Sequence, residues 1–125
     1  MESDSLHAVC ELQSFRRSAF DAGMTEDDIA RVVNIVAANP QAGDVMKGTG
    51  GCRKLRISGR GRGKSGGYRT ITFFGGDDLP VFLITVFSKG ERANLTKSEQ
   101  NALSVISGQI IESYQKKVVK VGIGA

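Results

Sequence analysis

Apolar residues recur at helical spacing in the first third of the chain. Four of them stand at positions i, i+3, i+4 and i+7 and so share one face of a helix: Ile29, Val32, Val33 and Val36. Thr25 precedes this run as a candidate N-cap, and acids fill the first turn, where the helix dipole favours them. Asn39-Pro40 ends the pattern, so the sequence predicts a helix between Thr25 and Asn39.

Two further helices are predicted, one before this helix and one in the last part of the chain. A short one covers residues 13–22 and ends at Gly23, after a first short strand in "LHAVCEL", residues 6–12. The other opens at the capping box Thr96-Lys97-Ser98-Glu99. Its apolar face and its predicted end are given by Leu103, Ile106, Ile110 and Tyr114. The tail, residues 115–125, carries no clear pattern and fits either a frayed end or an edge strand.

Three runs in the middle of the chain have strand length. In "CRKLRIS", residues 52–58, alternation puts Leu55 and Ile57 on one face and Lys54 and Arg56 on the other. "YRTITFF" is β-branched and aromatic, and "PVFLITVFSK" is apolar at nearly every position, as in a strand covered on both faces. Short connections favour an antiparallel meander. We therefore predict a single α+β domain over 1–125, with N-terminal helices, a small antiparallel β-sheet and a C-terminal helix.

Charge is distributed unevenly along the 125 residues, whose formal net charge is +4. No acid occurs between Asp44 and Asp77, and that window holds eight of the 17 cations, namely Lys47, Arg53, Lys54, Arg56, Arg60, Arg62, Lys64 and Arg69. A solvated charged loop would mix the two signs. A basic zone on an otherwise acidic domain therefore predicts binding to a polyanion such as a nucleic acid.

The glycine-rich stretch "SGRGRGKSGG", residues 58–67, resembles a phosphate-binding loop of nucleotide hydrolases only in part. That loop needs a glycine five residues before its Gly-Lys-Ser, where this chain has Ser58, and a helix after it, where this chain has a predicted strand. A nucleotide site is thereby disfavoured. Glycines let the backbone approach a phosphodiester chain closely, so the loop is predicted to grip a longer polyanion.

The sequence offers few residues for a metal or cofactor site. Cys10 and Cys52 lack metal-site spacing and are expected to be free thiols, and His7 is the single histidine, so no metal or cofactor is predicted. The first residues do not read as a signal peptide, and no apolar run reaches the length of a membrane span. The expected location is the cytoplasm, with no membrane partner.

With these features the chain resembles the RelE/HigB-like toxins of bacterial type II toxin–antitoxin systems. The resemblance covers residues 43–102 and rests on "GDVMKGTGGCRKLRI", "GRGKSGGYRTITFF" and "PVFLITVFSKGERANLT" taken together. It implies a RelE-like fold and a ribosome-dependent endoribonuclease, an mRNA interferase that cuts mRNA in the 30S A site without metal. It also implies a cognate antitoxin, which in the HigB-like branch is often a helix-turn-helix protein.

The resemblance also implies a set of site residues. Lys54 and Arg56 match the family's cationic pair on the first strand of the meander, Arg69 its Gly-Tyr-Arg arginine, and Lys89 the cation after the last strand. Lys47, Arg53, Arg60, Arg62, Lys64 and Tyr68 are predicted to contact RNA or the ribosome. Some relatives carry a tyrosine shortly after the last cation, where this chain has Leu95.

The chemistry of metal-free RNA cleavage fits these residue types. The 2′-OH attacks the adjacent phosphate, so the site needs a base, cations for the oxyanion and an acid for the leaving oxygen. Arg56 and Arg69 suit the oxyanion, because a guanidinium fork matches two phosphate oxygens. Lys54 is the predicted base, since neighbouring cations favour the neutral amine, and Lys89 is the acid or a second clamp.

Two other functions remain open from the sequence. One is an RNA-binding module that does not cleave, for which Tyr68 and the strand phenylalanines would supply a stacking platform. The other is a catalytically weak toxin homologue that is retained for antitoxin binding. Charged strand residues that only prevent aggregation at a sheet edge are the simplest structural explanation of Lys54 and Arg56.

Overall fold

A computed structural model describes residues 6–58, 67–88 and 94–115 of the chain. These residues form three helices and five strands. In chain order the elements are β1 (Val9–Glu11), α1 (Gln13–Asp21), α2 (Glu26–Ala38), β2 (Asp44–Val45), β3 (Cys52–Ile57), β4 (Tyr68–Phe74), β5 (Val81–Ser88) and α3 (Lys97–Gln115). The predicted α+β class and the order of helices and strands are confirmed.

The five strands form one sheet in the order β1-β5-β4-β3-β2. The predicted antiparallel meander is present as β3, β4 and β5, and β2 adds to it in the same sense. The sheet as a whole is mixed, because β1 pairs parallel with β5. That parallel pairing places β5 inside the sheet, in agreement with its nearly continuous apolar sequence.

The predicted N-cap at Thr25 and the predicted capping box at Thr96 are both formed, and the cap at Thr25 is also a full capping box. At the start of α2, the Asp28 amide donates to Thr25 Oγ1 over 3.1 Å, and the Thr25 amide donates to Asp28 Oδ2 over 3.0 Å. At the start of α3, the same exchange joins Thr96 and Glu99 over 3.1 and 2.8 Å. Each box satisfies two amides that a helix end leaves without an intrahelical acceptor.

Helices cover the sheet on both faces, and each face has its own core. Helices α1 and α2 pack on one face through Phe15, Val32 and Val36, which meet the strand residues Ile57, Tyr68 and Leu83. Helix α3 packs on the other face through Leu103 and Ile110, which meet Cys52, Ile71, Phe73 and Phe82. The described chain is thus layered helix, sheet, helix. Within it, no helix combines the length and apolar character that crossing a membrane requires.

Candidate active site

The β3–β4 ladder brings three predicted cations onto one face of the sheet. Arg56 lies directly opposite Arg69, and Lys54 lies opposite Ile71. Because side chains alternate along a strand, Lys54, Arg56 and Arg69 point to the α3 face, while Leu55 and Ile57 point to the core under α1 and α2. The predicted division of β3 into an apolar and a cationic face is therefore confirmed.

These three side chains line a cleft of about 580 Å³, here called the cationic cleft. The described residues in its lining are Gly43, Asp44, Lys54, Leu55, Arg56, Arg69 and Asn94. Ligand sites in proteins commonly measure about 300–1,000 Å³. The volume therefore suits a ligand of nucleotide size, and three of the seven lining residues offer hydrogen-bond donors with positive charge.

Arg69 is the most enclosed cation of the cleft, with 7 % of its surface exposed. Burial lowers the pKa of its guanidinium, and the charge of Arg56 lowers that pKa further. Like charges directly opposite one another on a sheet are destabilising. An anion that lies between the two guanidinium groups would offset this repulsion.

The edge of the cationic cleft depends on a glycine. Gly43 has φ +94°, and a Cβ atom there would lie 2.7 Å from the carbonyl oxygen of Lys54. Arg53 strengthens this close approach, since its Nη1 donates to the carbonyls of Gln41 and Gly43 over 3.0 and 3.1 Å. Arg53 therefore fixes the segment before β2, and its guanidinium is engaged by the protein backbone.

The close approach at Gly43 sets Asp44 directly opposite Lys54 in the β2–β3 pair. Asp44 is the one acid among the described residues that line the cationic cleft. Sequence reasoning missed it, because a strand of two residues has no periodicity to detect. The signal that was available is its position immediately after Gly43, at the beginning of the acid-free window.

A comparison with known protein families shows which family the chain belongs to. The model of the family described as the RelE toxin of the RelE/RelB toxin–antitoxin system matches residues 8–123. The chain belongs to the RelE toxin family. The match covers all three helices and all five strands, and it implies an antitoxin partner for this RelE-family chain.

Two residues predicted to contact RNA are placed away from the cationic cleft of this RelE-family chain. Tyr68 is 1 % exposed, and its hydroxyl donates to the carbonyl of Gly23 over 3.4 Å. This burial corrects the predicted RNA contact of Tyr68 and assigns the ring to the core. Lys47 is exposed on the turn before β3, outside the cleft lining.

The turn that carries Lys47 is attached to α3 by buried hydrogen bonds. Thr49 Oγ1 donates to the carbonyl of Met46 over 2.7 Å and accepts from the Cys52 amide over 3.0 Å. Ser107 of α3 donates to the carbonyl of Thr49 over 3.1 Å. The start of β3, and with it the position of the strand cations, is therefore held by α3.

Arg31 is a second residue that sequence reasoning missed. It lies on α2, where its Nη1 contacts Asp28 Oδ1 over 3.3 Å and its Nη2 donates to the carbonyl of Ser58 over 2.9 Å. Ser58 is the residue from which the glycine-rich loop leaves β3. Arg31 thus fixes the base of that loop, although its helical position alone suggested an exposed charge.

Leu95 and Tyr114 lie outside the cationic cleft. Leu95 packs against the core under α3 and lines a separate, mainly apolar cavity of about 210 Å³ between α1, β5 and α3. Tyr114 packs edge-on against Phe82, with 5.1 Å between ring centroids. Neither side chain replaces the tyrosine that some relatives carry. Four predicted site residues lie outside the described residues, as does most of the tail: Arg60, Arg62, Lys64, Lys89 and residues 116–125.

Proposed function

We propose that this RelE-family chain is a ribosome-dependent mRNA endonuclease, the toxin of a type II toxin–antitoxin pair, which acts in the cytoplasm on mRNA in the 30S A site. The observation that carries the proposal is the opposition of Arg56 and Arg69 on an open cleft of nucleotide size. Two guanidinium groups directly opposite each other repel, and a scissile phosphate bound between them would offset that repulsion.

The proposed reaction is metal-independent transfer of the phosphate to the neighbouring 2′ oxygen. The 2′-OH attacks phosphorus, negative charge gathers on the non-bridging oxygens, and the bond to the 5′ oxygen breaks. Arg56 and Arg69 would hold the non-bridging oxygens, each through two parallel N–H donors. Donors that meet charge only as it develops are worth about 2.7–4 kcal/mol of transition-state stabilisation each.

The net charge of the cleft predicts the charge of its ligand. Among the described residues of the lining, the three cations Lys54, Arg56 and Arg69 are accompanied by one carboxylate, that of Asp44. A phosphodiester on either side of the scissile bond would neutralise the excess. Lys47 and the loop cations Arg60, Arg62 and Lys64 are proposed to extend this contact along the RNA backbone, and Lys89 to assist at the leaving oxygen.

The burial of the aromatic rings argues against the non-cleaving alternative. Base stacking on strands needs exposed rings, but Tyr68, Phe73, Phe82 and Phe87 are each at most 4 % exposed. Phe74 is half-buried and packs edge-on against His7, with 5.4 Å between ring centroids. The described strands therefore present no exposed ring beside the cations. Such a surface recognises the phosphate backbone and leaves the choice of sequence to the ribosome and its codon.

The decisive experiment is to incubate the purified chain with ribosomes translating a defined mRNA and to map the new 5′ ends. We expect cuts within the A-site codon, no cuts in the same mRNA without ribosomes, and no cuts after addition of the cognate antitoxin. Binding to ribosomes without cuts would favour the RNA-binding module. Antitoxin binding without either ribosome binding or cuts would favour a toxin homologue that is retained for its complex.

The glycine-rich loop can be tested by the dependence of ribosome binding on salt. Each phosphate contact to single-stranded RNA contributes a slope of about −0.7 to the log–log plot of affinity against salt. Replacing Arg60, Arg62 and Lys64 by alanine should make the slope shallower by about two units. An unchanged slope would remove these three residues from the proposed RNA contact.

A further inference from the structure

The cationic cleft contains one group whose chemistry differs from that of its neighbours. Asp44 lies opposite Lys54 at the edge of the sheet and lines the same cleft as Arg56 and Arg69. Within the described ranges its carboxylate takes part in no ion pair and no side-chain hydrogen bond. The carboxylate is thus kept beside three cations without being engaged by any of them.

Metal-free cleavage at this cleft needs a proton acceptor. Guanidinium and ammonium groups are donors without a lone pair for a proton, whereas an ionised carboxylate is an acceptor only. Among the described lining residues, Asp44 is therefore the side chain that carries a basic group in its ordinary charge state. Asn94, the other oxygen-bearing side chain of the lining, has an amide, which is a poor base.

We propose that Asp44 is the general base that takes the proton of the attacking 2′-OH, and that Lys54 gives a proton to the leaving 5′ oxygen. The inference rests on the proposed ribonuclease function and reverses the role that the sequence predicted for Lys54. The new bond joins the 2′ oxygen to phosphorus, and the bond that breaks joins phosphorus to the 5′ oxygen. The products are a 2′,3′-cyclic phosphate and a 5′-hydroxyl.

The proton balance closes within the pair. After cleavage Asp44 holds the proton of the 2′-OH, and Lys54 lacks the proton that it gave to the 5′ oxygen. The two residues are direct cross-strand neighbours, and Cβ atoms of such neighbours are about 4.5–5.5 Å apart. A proton can therefore pass from the carboxylic acid to the amine, directly or through one water, and the next cycle starts from the original charge state.

Gly43 gives the structural reason for this arrangement. Asp44 reaches the cleft only because β2 approaches β3 so closely that a Cβ on Gly43 would meet the Lys54 carbonyl oxygen at 2.7 Å. Among the described residues that line the cleft with Asp44, the charged ones are Lys54 and Arg56 from β3 and Arg69 from β4, and all three are cationic. An ionised carboxylate is the form of this side chain that accepts a proton.

The test is single-turnover cleavage on programmed ribosomes at saturating protein, with Asp44→Asn beside the parent chain. We expect the rate to fall about 10²–10⁴-fold, the usual contribution of a general base. Ribosome affinity should stay equal or rise, because the substitution removes a negative charge from a cationic cleft. A carboxylate that merely weakens phosphate binding would give a different result, since its removal would raise the affinity and leave the rate at saturation unchanged.

Two matched variants sharpen this test. Asp77→Asn removes the same charge from an exposed turn between β4 and β5 and should cut at the parent rate. Asp44→Glu keeps a carboxylate and should cut faster than Asp44→Asn. The pH dependence separates the two candidate bases: a carboxylate base gives a nearly constant rate from pH 6 to pH 8, and a lysine base gives a rate that rises about tenfold per pH unit.

The outcomes distinguish this inference from the function on which it rests. A parent that cleaves while Asp44→Asn cleaves equally fast overturns the role of Asp44 alone. A parent rate that rises about tenfold per pH unit does the same and returns the base to Lys54. A parent that binds programmed ribosomes and leaves the mRNA intact overturns the proposed function and this inference together.

Discussion

Two cross-strand pairs of the β3–β4 ladder lie in different surroundings. Cys52 lies opposite Phe73, and four residues further along β3, Arg56 lies opposite Arg69. Both pairs point to the α3 face. The first is sealed beneath the helix, with 0 % and 2 % of the two residues exposed, whereas the second lines an open cleft.

The closed pair is held by packing and by a polar contact that packing makes possible. Phe73 belongs to the core under α3, and Cys52 Sγ lies 3.2 Å from Ser107 Oγ. Burial raises the pKa of the Cys52 thiol, and its hydrogen bonds to Ser107 and Thr49 oppose that rise. The closed pair thus attaches β3 to α3.

The open pair brings two like charges together. Arg56 and Arg69 repel each other, and Arg69 loses much of its hydration. The two ends of the ladder therefore differ in what they contribute to the free energy of folding: the closed end adds buried packing, and the open end sets two like charges against each other. The predictions below separate the two ends by asking which substitutions change stability and which change cleavage.

The largest effect is expected at the closed end. Phe73→Ala removes a buried phenyl group and leaves a cavity, which should lower the free energy of unfolding by about 3–5 kcal/mol. Since small domains have about 5–15 kcal/mol in total, the variant should be only marginally folded. Chemical denaturation measures the change. Phe20→Ala, at a side chain that is 52 % exposed, is the matched control and should change the same quantity by less than about 1 kcal/mol. Similar losses for the two variants would contradict the contrast.

The next effect belongs to the open end and to the reaction. Arg69→Ala should slow single-turnover cleavage by about 10²–10³-fold, since the oxyanion that it holds exists only in the transition state. Ribosome affinity should change little, and the free energy of unfolding should not fall as it does for Phe73→Ala. Arg69→Lys should recover little of the rate, because an ammonium lacks the planar fork. Parent-like cleavage by Arg69→Ala at saturation would remove Arg69 from the site.

A smaller effect is expected at the edge of the cleft. Gly43→Ala places a Cβ 2.7 Å from the Lys54 carbonyl oxygen at φ +94°, which should cost about 1–3 kcal/mol of stability and displace Asp44. Gly76→Ala is the control, because Gly76 has φ +119° and no atom within 4 Å of the added Cβ. Both variants carry the backbone strain, but only Gly43→Ala should slow cleavage. Equal effects on cleavage would show that strain alone is responsible.

The sequence was sufficient to predict the helices and strands in which a clear pattern of residues repeats. Helix α2 was predicted between its cap and its stop, and β4 was predicted over its full length, because several residues in a row support each assignment. The parallel partner of β5 was not predicted, since "LHAVCEL" indicates a strand but not the strand beside which it lies. Pairing over 70 residues depends on the whole fold, and local periodicity does not encode it.

The candidate site was predictable in charge and only partly in geometry. Lys54 and Arg56 share a face, as alternation along β3 indicated, and the strand register adds Arg69 to that face. Asp44 was not found, because its place in the cleft depends on the pairing of a strand of two residues. Tyr68 was assigned to RNA from its neighbours, whereas the structure buries it because its strand position faces α1 and α2. Composition predicted that the surface is cationic, but only the register of the strands showed which residues form it.

The smallest expected effect is the loss of stability that the repulsion between Arg56 and Arg69 causes. Arg56→Gln removes the charge opposite Arg69 while keeping a long polar side chain. The variant should therefore be more stable than the parent by about 0.2–1 kcal/mol, which is the usual size of a cross-strand charge effect. Its gain should shrink between low salt and about 1 M salt, where the Debye length falls to about 3 Å. Chemical denaturation at the two salt concentrations measures both quantities.

The control for that variant is Arg17→Gln, which removes the same charge from an exposed position on α1 and should leave the free energy of unfolding almost unchanged. Inorganic phosphate adds a second readout, because an anion held between Arg56 and Arg69 stabilises the folded parent by mass action. We expect phosphate to raise the Tm of the parent and of Arg17→Gln by equal amounts, and that of Arg56→Gln by less. If Arg56→Gln were less stable than the parent and gained the same Tm from phosphate, Arg56 would be a structural residue. The open end would then owe its anion site to Arg69 and Lys54 alone.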